Sequence, residues 1–385
     1  MTVDWLAEAR AMADTLAKWR EMFHRDPEMG NEEYRTREKI EAILDELGVP
    51  HRRYLDTAVV GRLDGARPGP LIALRADMDA LPLQEVTGAP FASRHPGVMH
   101  ACGHDCHMAA LLGAAALLKA RRSALSGAAL FVFQPDEEGS GGAERLVKAG
   151  ALDGARAVFG CHVSPDLPEG RVGVRDGKFY AASDVFDLTV TGVSCHGAER
   201  EKGVDALAAA CDMVRDLIAL PDRLGGERSV VTVGALHAGT ARNIVPGTAE
   251  LQGIVRTLGP EAREAMRGLV RDTVARQAER HGVTADLRMR ASYPGVVNDD
   301  RMTALVRAAA RETLGDAAVR EIERPTMTTE DFGYYMDVCP GAYWHVGAGC
   351  DRPLHAPDFL PSAGAVVTAA AVHAAVAAKA MEALA

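Results

Sequence analysis

The chain of 385 residues is short of positive charge: 43 lysines and arginines face 53 aspartates and glutamates, for a formal net charge of −10. No basic stripe is present to neutralise phosphates, which excludes nucleic acid and anionic membranes as main partners and leaves a small molecule or a peptide. The seven cysteines are odd in number and scattered, so they read as reduced thiols and not as a disulfide framework. The first ten residues carry acidic side chains where a secretory leader would be basic and then apolar, and the expectation is a cytoplasmic protein. Residues 363–385 are rich in alanine and valine, but His373, Lys379 and Glu382 interrupt them, so this run reads as a buried or docked helix, with no membrane span. Internal repeats and low-complexity linkers are lacking as well.

What is present suits a globular enzyme, with 48% hydrophobic and 25% charged residues. A chain this long exceeds what one core serves, so two domains are expected. Apolar residues recur at helical spacing over 5–23 and 34–47, separated by a loop from His24 to Gly30. Short strands follow at 59–63 and 71–75, the second running into Asp77-Met78-Asp79. Then come a helix at 105–120, a strand at 128–133, a helix around 143–149, and a strand at 157–161 with His162 just beyond it. This alternation predicts an α/β catalytic domain, a mostly parallel mixed sheet flanked by helices, whose ligands gather where strands end.

Near Ala182 the pattern changes. A strand at 185–191, a helix at 204–220, strands at 229–236 and 249–256, a helix at 260–281 and a strand at 283–289 give the order β-α-β-β-α-β of a ferredoxin-like domain. Helix-rich sequence then resumes at 301–314, 330–338 and the C-terminus, so this domain reads as an insertion. The expected organisation is a catalytic domain in two parts, 1–181 and 292–385, around an inserted domain at 182–291. Connectors near 179–183 and 290–296 are the candidate hinges.

The richest chemistry lies in Met99-His-Ala-Cys-Gly-His-Asp-Cys-His107, which packs three histidines, two cysteines and Asp105 into nine residues before an alanine- and leucine-rich helix. Imidazole, thiolate and carboxylate are the usual ligands of zinc and its neighbours, and catalytic sites hold them on loops at the ends of regular elements. Taken alone the loop is equally a set of buried small residues, a reactive thiol or surface histidines. The adjacent Glu137 and Glu138 follow a strand, so one carboxylate can bind metal while the other handles the proton of an activated water. Taken alone, Asp-Glu-Glu-Gly is also an ordinary solvated turn. His162 and His355 read either as ligands or as hydrogen-bonded structural histidines.

Six motifs in one order decide between these readings: Leu74-Arg-Ala-Asp-Met-Asp-Ala-Leu-Pro82, the loop at 99–107, Phe133-Gln-Pro-Asp-Glu-Glu-Gly139, Gly160-Cys-His-Val163, Ala241-Arg-Asn-Ile-Val-Pro246 and Thr329-Glu-Asp-Phe332. Together they resemble the dinuclear metallopeptidase and aminoacylase family, in the amidohydrolase branch of hippurate hydrolases, indoleacetyl-amino acid hydrolases and N-acetyldiaminopimelate deacetylases. The resemblance spans nearly the whole chain. It implies two divalent metal ions per subunit, zinc, manganese, cobalt or nickel, held by Cys102, His104, Glu138, His162 and His355. It implies Glu137 as general base and acid, Asp79 as a carboxylate beside the metals, and Asp105 in a similar orienting part. The wider family has a histidine ligand where this chain has Asp77, and Cys102 looks like its replacement.

The inserted domain of such enzymes is a lid and dimerisation module, so the resemblance also implies a homodimer. His196 matches a lid histidine that contacts the scissile carbonyl, and Asn243 and Arg256 match positions near the substrate carboxylate. After that histidine the branch carries a proline, whereas this chain reads Gly197-Ala-Glu-Arg-Glu-Lys-Gly203, a charged departure. The expected activity is hydrolysis of an N-acyl amino acid, with an acetyl, benzoyl or aryl-acyl group, to a carboxylic acid and a free amino acid. The alternatives are a dipeptidase or carboxypeptidase of the same family, a hydrolase using Cys102 as nucleophile, and a binding protein without activity.

Overall fold

The computed structural model describes residues 3–385, which fall into two compact units. The larger takes in the chain up to Phe179 together with Val297–Arg324 and Asp331–Ala385; the smaller is Tyr180–Val296 with Pro325–Glu330.

The larger unit is built on an eight-stranded sheet. Its centre is four strands, Ser126–Gln134, Arg67–Asp77, Ala155–Ser164 and Gly341–Gly347, each parallel to its neighbour. The runs Ala-Leu-Phe-Val-Phe and Ala-Val-Phe-Gly-Cys are apolar without alternation because both faces of these strands are buried. Antiparallel pairings with Ala58–Asp64 and Val172–Val174 on the two sides make the sheet mixed, as expected. Parallel strands end on the same side, so Asp77, Gln134 and Ser164 are carried toward one edge, where ligands of open α/β sheets collect.

The helices His104–Ala120 and Ala363–Ala383 are buried along most of their length, their alanines allowing close approach to each other and to the sheet. The second is long and apolar enough to cross a membrane, yet most of it lies inside the unit, against His104–Ala120, Asp300–Leu314 and Trp5–Ala11.

Three sequence expectations are corrected here, and one strand is added to them. The helix expected over 5–23 breaks at Met12, whose N–H turns back to the carbonyls of Ala9 and Arg10, giving Trp5–Ala11 and Ala13–His24. The helix expected over 330–338 is only Gly333–Met336, because Asp331 is drawn into a buried network with Arg75. The central strand Gly341–Gly347 is an element that the sequence reading does not contain. His162 lies within Ala155–Ser164 and not beyond it.

The smaller unit has a four-stranded sheet in the order Ser229–Ala238, Thr248–Thr257, Ala182–Thr191, Thr284–Ala291, antiparallel throughout. With the helices Ala206–Ile218 and Pro260–His281 packed on it, this is the expected ferredoxin-like order. The longer helix is fastened by Arg263, whose Nε is 2.8 Å from the buried Asp184 carboxylate, which Arg267 also contacts.

Beneath the strand ends of the larger unit lies the fully buried Arg75. Its Nη1 donates to Asp77 (2.7 Å), its Nη2 to Asp331 (2.9 Å) and its Nε to Gln134 (2.8 Å). Asp331 in turn accepts from Gln134 Nε2 (2.7 Å) and from the N–H of Ala143 (2.9 Å). Removing one partner of a buried ion pair leaves an uncompensated charge. Asp331→Ala should therefore lower stability by about 3–5 kcal/mol in urea unfolding of the metal-free protein at neutral pH. A loss below about 1 kcal/mol, the worth of a surface pair, would contradict that account.

Candidate metal centre

The loop before His104–Ala120 is shaped by Gly103, which takes a left-handed φ of 86° as the helix N-cap and whose missing Cβ would collide with Val163. This turn sets Cys102 and His104 on either side of it. Two further strands of chain are tied to the same loop: Leu81 and Met99 exchange backbone hydrogen bonds of 2.9 and 3.0 Å, and the His355 N–H donates to the carbonyl of Ala101 (3.0 Å). Residues from 79, 102 and 355 are thus held together by backbone before any side chain is considered.

The side chains then converge. Cys102 Sγ is 3.3 Å from His162 Nε2 and 3.4 Å from His355 Nε2, and His355 Nε2 is 3.0 Å from Glu138 Oε1. Ligand atoms of Cys102, His104 and His162 lie within 4.8 Å of one another, as do those of Cys102, Glu138 and His355, so the thiol is common to two triads. His104, Glu137 and Glu138 form a third such group. All five residues expected as ligands, with Glu137, are therefore brought together.

Hydrogen bonds at the back of each ring decide which atom faces inward. His104 Nδ1 donates to the carbonyl of Asp79 (2.8 Å) and His162 Nδ1 to that of Val163 (2.7 Å), which leaves both Nε2 lone pairs turned to the cluster. His104 Nε2 is buried without a hydrogen-bond partner among the described residues. Burial would lower the His104 pKa, but Asp77, Asp79 and Glu138 push it up to about 10, a negative field that a divalent cation would neutralise. His162 is shifted the other way, well below its ordinary value, by burial and by neighbouring His107. These residues fit a metal: an orphaned buried imidazole nitrogen, two oriented lone pairs, a thiol and carboxylates share one small volume. Burial and the nearby Glu138 and Glu137 carboxylates hold the Cys102 thiol well above its ordinary pKa, the reverse of an activated nucleophile.

Asp79 meets the cluster twice, through its carbonyl on His104 and through Oδ2, which accepts the Glu138 N–H (3.0 Å). Asp77 has both oxygens engaged, by Arg75 (2.7 Å) and by His107 Nδ1 (2.6 Å). His107 Nε2 lies 2.9 Å from the Val163 backbone nitrogen, so this ring is a strut behind the site. Asp105 points away from the cluster, with Oδ2 accepting from Arg20 Nε (3.0 Å) and bonded to His24 Nδ1 (2.9 Å), while His24 Nε2 lies 3.2 Å from Glu85. Its orienting part is thus on the metal-loop helix, not on a ligand. His24, Glu85, Arg75 and Glu33 are given no role in the sequence reading: Glu85 carries no local signal, His24 opens a loop, Arg75 lies inside the motif at 74–82, and Glu33 lies in an acidic pair at a helix start.

In the smaller unit His196 and Asn243 are brought side by side on a two-stranded ribbon: His196 pairs with Ile244, and the Gly197 N–H donates to the Asn243 carbonyl (2.8 Å). Arg256 lies in the four-stranded sheet between Ser183 and Val230. The charged departure forms a turn of 3₁₀ helix, Arg200–Lys202, held by Lys202 with Glu199 (2.6 Å) and Arg200 with Asp205 (3.0 Å).

A model of peptidase family M20/M25/M40 matches residues 73–379. The chain belongs to this family. Membership makes this M20 chain a hydrolase of amide or peptide bonds. It is 36% identical over 359 residues to the N-acetylcysteine deacetylase of Bacillus subtilis strain 168, covering 91% of this chain and 92% of that one. It is 34% identical to thermostable carboxypeptidase 1 of Saccharolobus solfataricus over 97% of both chains. Among solved structures, the YXEP protein of Bacillus subtilis, described as a dinuclear metal-binding peptidase of the M20 family, matches with a TM-score of 0.87 at 34% identity, over 97% of this chain and 99% of its own.

One electrostatic consequence is measurable away from the ligands. Burial would lower His24, but Asp105 and Glu85 push it up from 6.5 to about 9. A raised folded pKa gives stability that is complete below pH 6.5 and lost as pH rises through about 9. The metal-free protein should lose up to about 3 kcal/mol over that window, and His24→Gln should flatten the loss. Equal pH profiles for the two proteins in urea unfolding would refute it.

Proposed function

We infer that this M20 hydrolase is a metal-dependent amidohydrolase that splits N-acyl amino acids into a carboxylic acid and a free amino acid. The observation that carries the reading is the convergence of Cys102, His104, Glu138, His162 and His355 with the buried Glu137 against them. Those five side chains would hold two divalent ions, with the Cys102 sulfur shared between triads. Such ions polarise an amide carbonyl and make a water acidic enough to attack at neutral pH. The mixed sulfur, nitrogen and oxygen donors are compatible with zinc, manganese, cobalt or nickel.

Glu137 takes the proton of the attacking water on a carboxylate oxygen and returns it to the leaving amide nitrogen, which departs as an amine. Asp79 keeps His104 in the tautomer that turns Nε2 toward the other donors and holds the Glu138 backbone in place. His196 stabilises the negative oxygen of the tetrahedral intermediate, while Arg256 and Asn243 take the carboxylate of the amino acid. The smaller unit acts as lid and as the contact of a homodimer; the family resemblance supports both. The preference for N-acyl amino acids is supported by the likeness to a deacetylase, and the comparable likeness to a carboxypeptidase favours peptides as the second reading.

Glu137→Gln should keep the metal content of the wild type and lose about 10²–10⁴-fold in kcat; wild-type turnover in that variant would sink the assignment. A chelator should abolish activity and added zinc, manganese or cobalt restore it, whereas activity that survives chelation but not alkylation would point to Cys102 as nucleophile. Release of free amino acid from acetyl-, benzoyl- and indoleacetyl-amino acids, compared with dipeptides, separates the two substrate classes.

A further inference from the structure

We propose that Glu33 is a positioning residue for the reaction: it holds the backbone elbow that aims Glu137, and so sets the rate of the chemical step without touching substrate or metal. The inference rests on the reading of Glu137 as the group that moves the proton. Glu137 sits between two backbone N–H groups, each taken by a carboxylate from elsewhere in the chain. The N–H of Asp136 donates to Glu33 Oε1 (2.9 Å), and that of Glu138 donates to Asp79 Oδ2 (3.0 Å).

The elbow needs such holding. Asp136 has a φ of 56°, in the left-handed region that a non-glycine residue adopts only when its surroundings impose it. Its own carboxylate is turned downstream, accepting the Ser140 N–H (3.2 Å) and pairing with Arg145 (3.0 Å). On the other side the loop at Gly30 closes against it, and a Cβ added at Gly30 would collide with Asp136 Oδ1.

Glu33 is placed for this task at the expense of a local one. It is the N-cap residue of the helix Tyr34–Glu46, but its side chain makes no cap; Glu28 accepts the Thr36 N–H instead (2.8 Å). Glu33 is fully buried, with Oε2 accepting from the Thr57 hydroxyl (2.9 Å), so both of its oxygens are engaged. Burial, and after it the Asp79 carboxylate, push Glu33 up to about 7, an unfavourable setting that its two hydrogen bonds offset.

The test compares Glu33→Ala, Glu33→Gln and Gly30→Ala with wild type and Glu137→Gln. Each full-length, metal-replete protein is assayed on the best substrate of the amide panel, alongside metal content and thermal unfolding. Glu33→Ala should lower kcat on the order of 10²-fold with KM and metal content unchanged, since a displacement of about 1 Å is enough for that loss. Glu33→Gln, which keeps an acceptor oxygen for the Asp136 N–H, should recover most of the turnover. Gly30→Ala, pressing on the same elbow from the far side, should lower kcat by about tenfold or more with KM unchanged. Wild-type kcat per metal-loaded site in Glu33→Ala or Gly30→Ala overturns the proposal, even if the melting temperature falls; so does a loss confined to KM or to metal content. Where Glu33→Ala yields no folded protein, Gly30→Ala decides by the same criteria. Wild-type turnover in Glu137→Gln defeats the functional reading itself, whereas an inactive Glu137→Gln beside a fully active Glu33→Ala defeats only the role given to Glu33.

Discussion

The arrangement depends first on one buried cation. Arg75 sits at the end of a central strand with no access to water, where an unpaired guanidinium would cost several kcal/mol. Asp77, Asp331 and Gln134 surround it, and each of them belongs to a different stretch of chain that must be present for the charge to be compensated. The consequence runs outward. Asp77, held by Arg75, orients His107, and His107 takes the N–H of Val163, beside His162. A side chain that touches no ligand thereby joins the ends of three neighbouring strands.

On that base the fold gathers electron-pair donors with few cations of its own among them. Cys102, His104, Glu138, His162 and His355 come from four separate segments, and rear hydrogen bonds turn His104 and His162 lone-pair first toward the centre. Lone pairs brought to such distances repel one another unless a proton or a positive ion lies between them. The folding energy that forces them together comes from the apolar strands and the two buried helices, which carry none of the chemistry. Stability and function are thus divided between the middle of the sheet and its edge.

The convergence of Cys102, His104, Glu138 and His162 was legible in the sequence because thiol, imidazole and paired carboxylates in ordered motifs have few other uses in combination. The fold class was legible because continuous apolar strands and alternating helices have few ways to pack. Supporting residues were not. Glu33 and Glu28 both precede a helix, and nothing local says that the first reaches Asp136 while the second caps the helix. Asp331 belongs to a recognised motif, yet its partner Arg75 lies 256 positions earlier, a distance no periodicity spans. The strand Gly341–Gly347 was missed for a related reason: bounded by glycines and holding a histidine, it reads as a strand only beside Ala155–Ser164.

The buried helix Ala363–Ala383 has a consequence for how the chain comes into being. It is synthesised after every element it covers, including His104–Ala120 and the central strands. During translation the larger unit therefore waits with an open apolar face, while the smaller unit, nearly all of it one uninterrupted segment, has already been made and can fold. The apolar face of the larger unit stays open to aggregation and to chaperones until this helix leaves the ribosome.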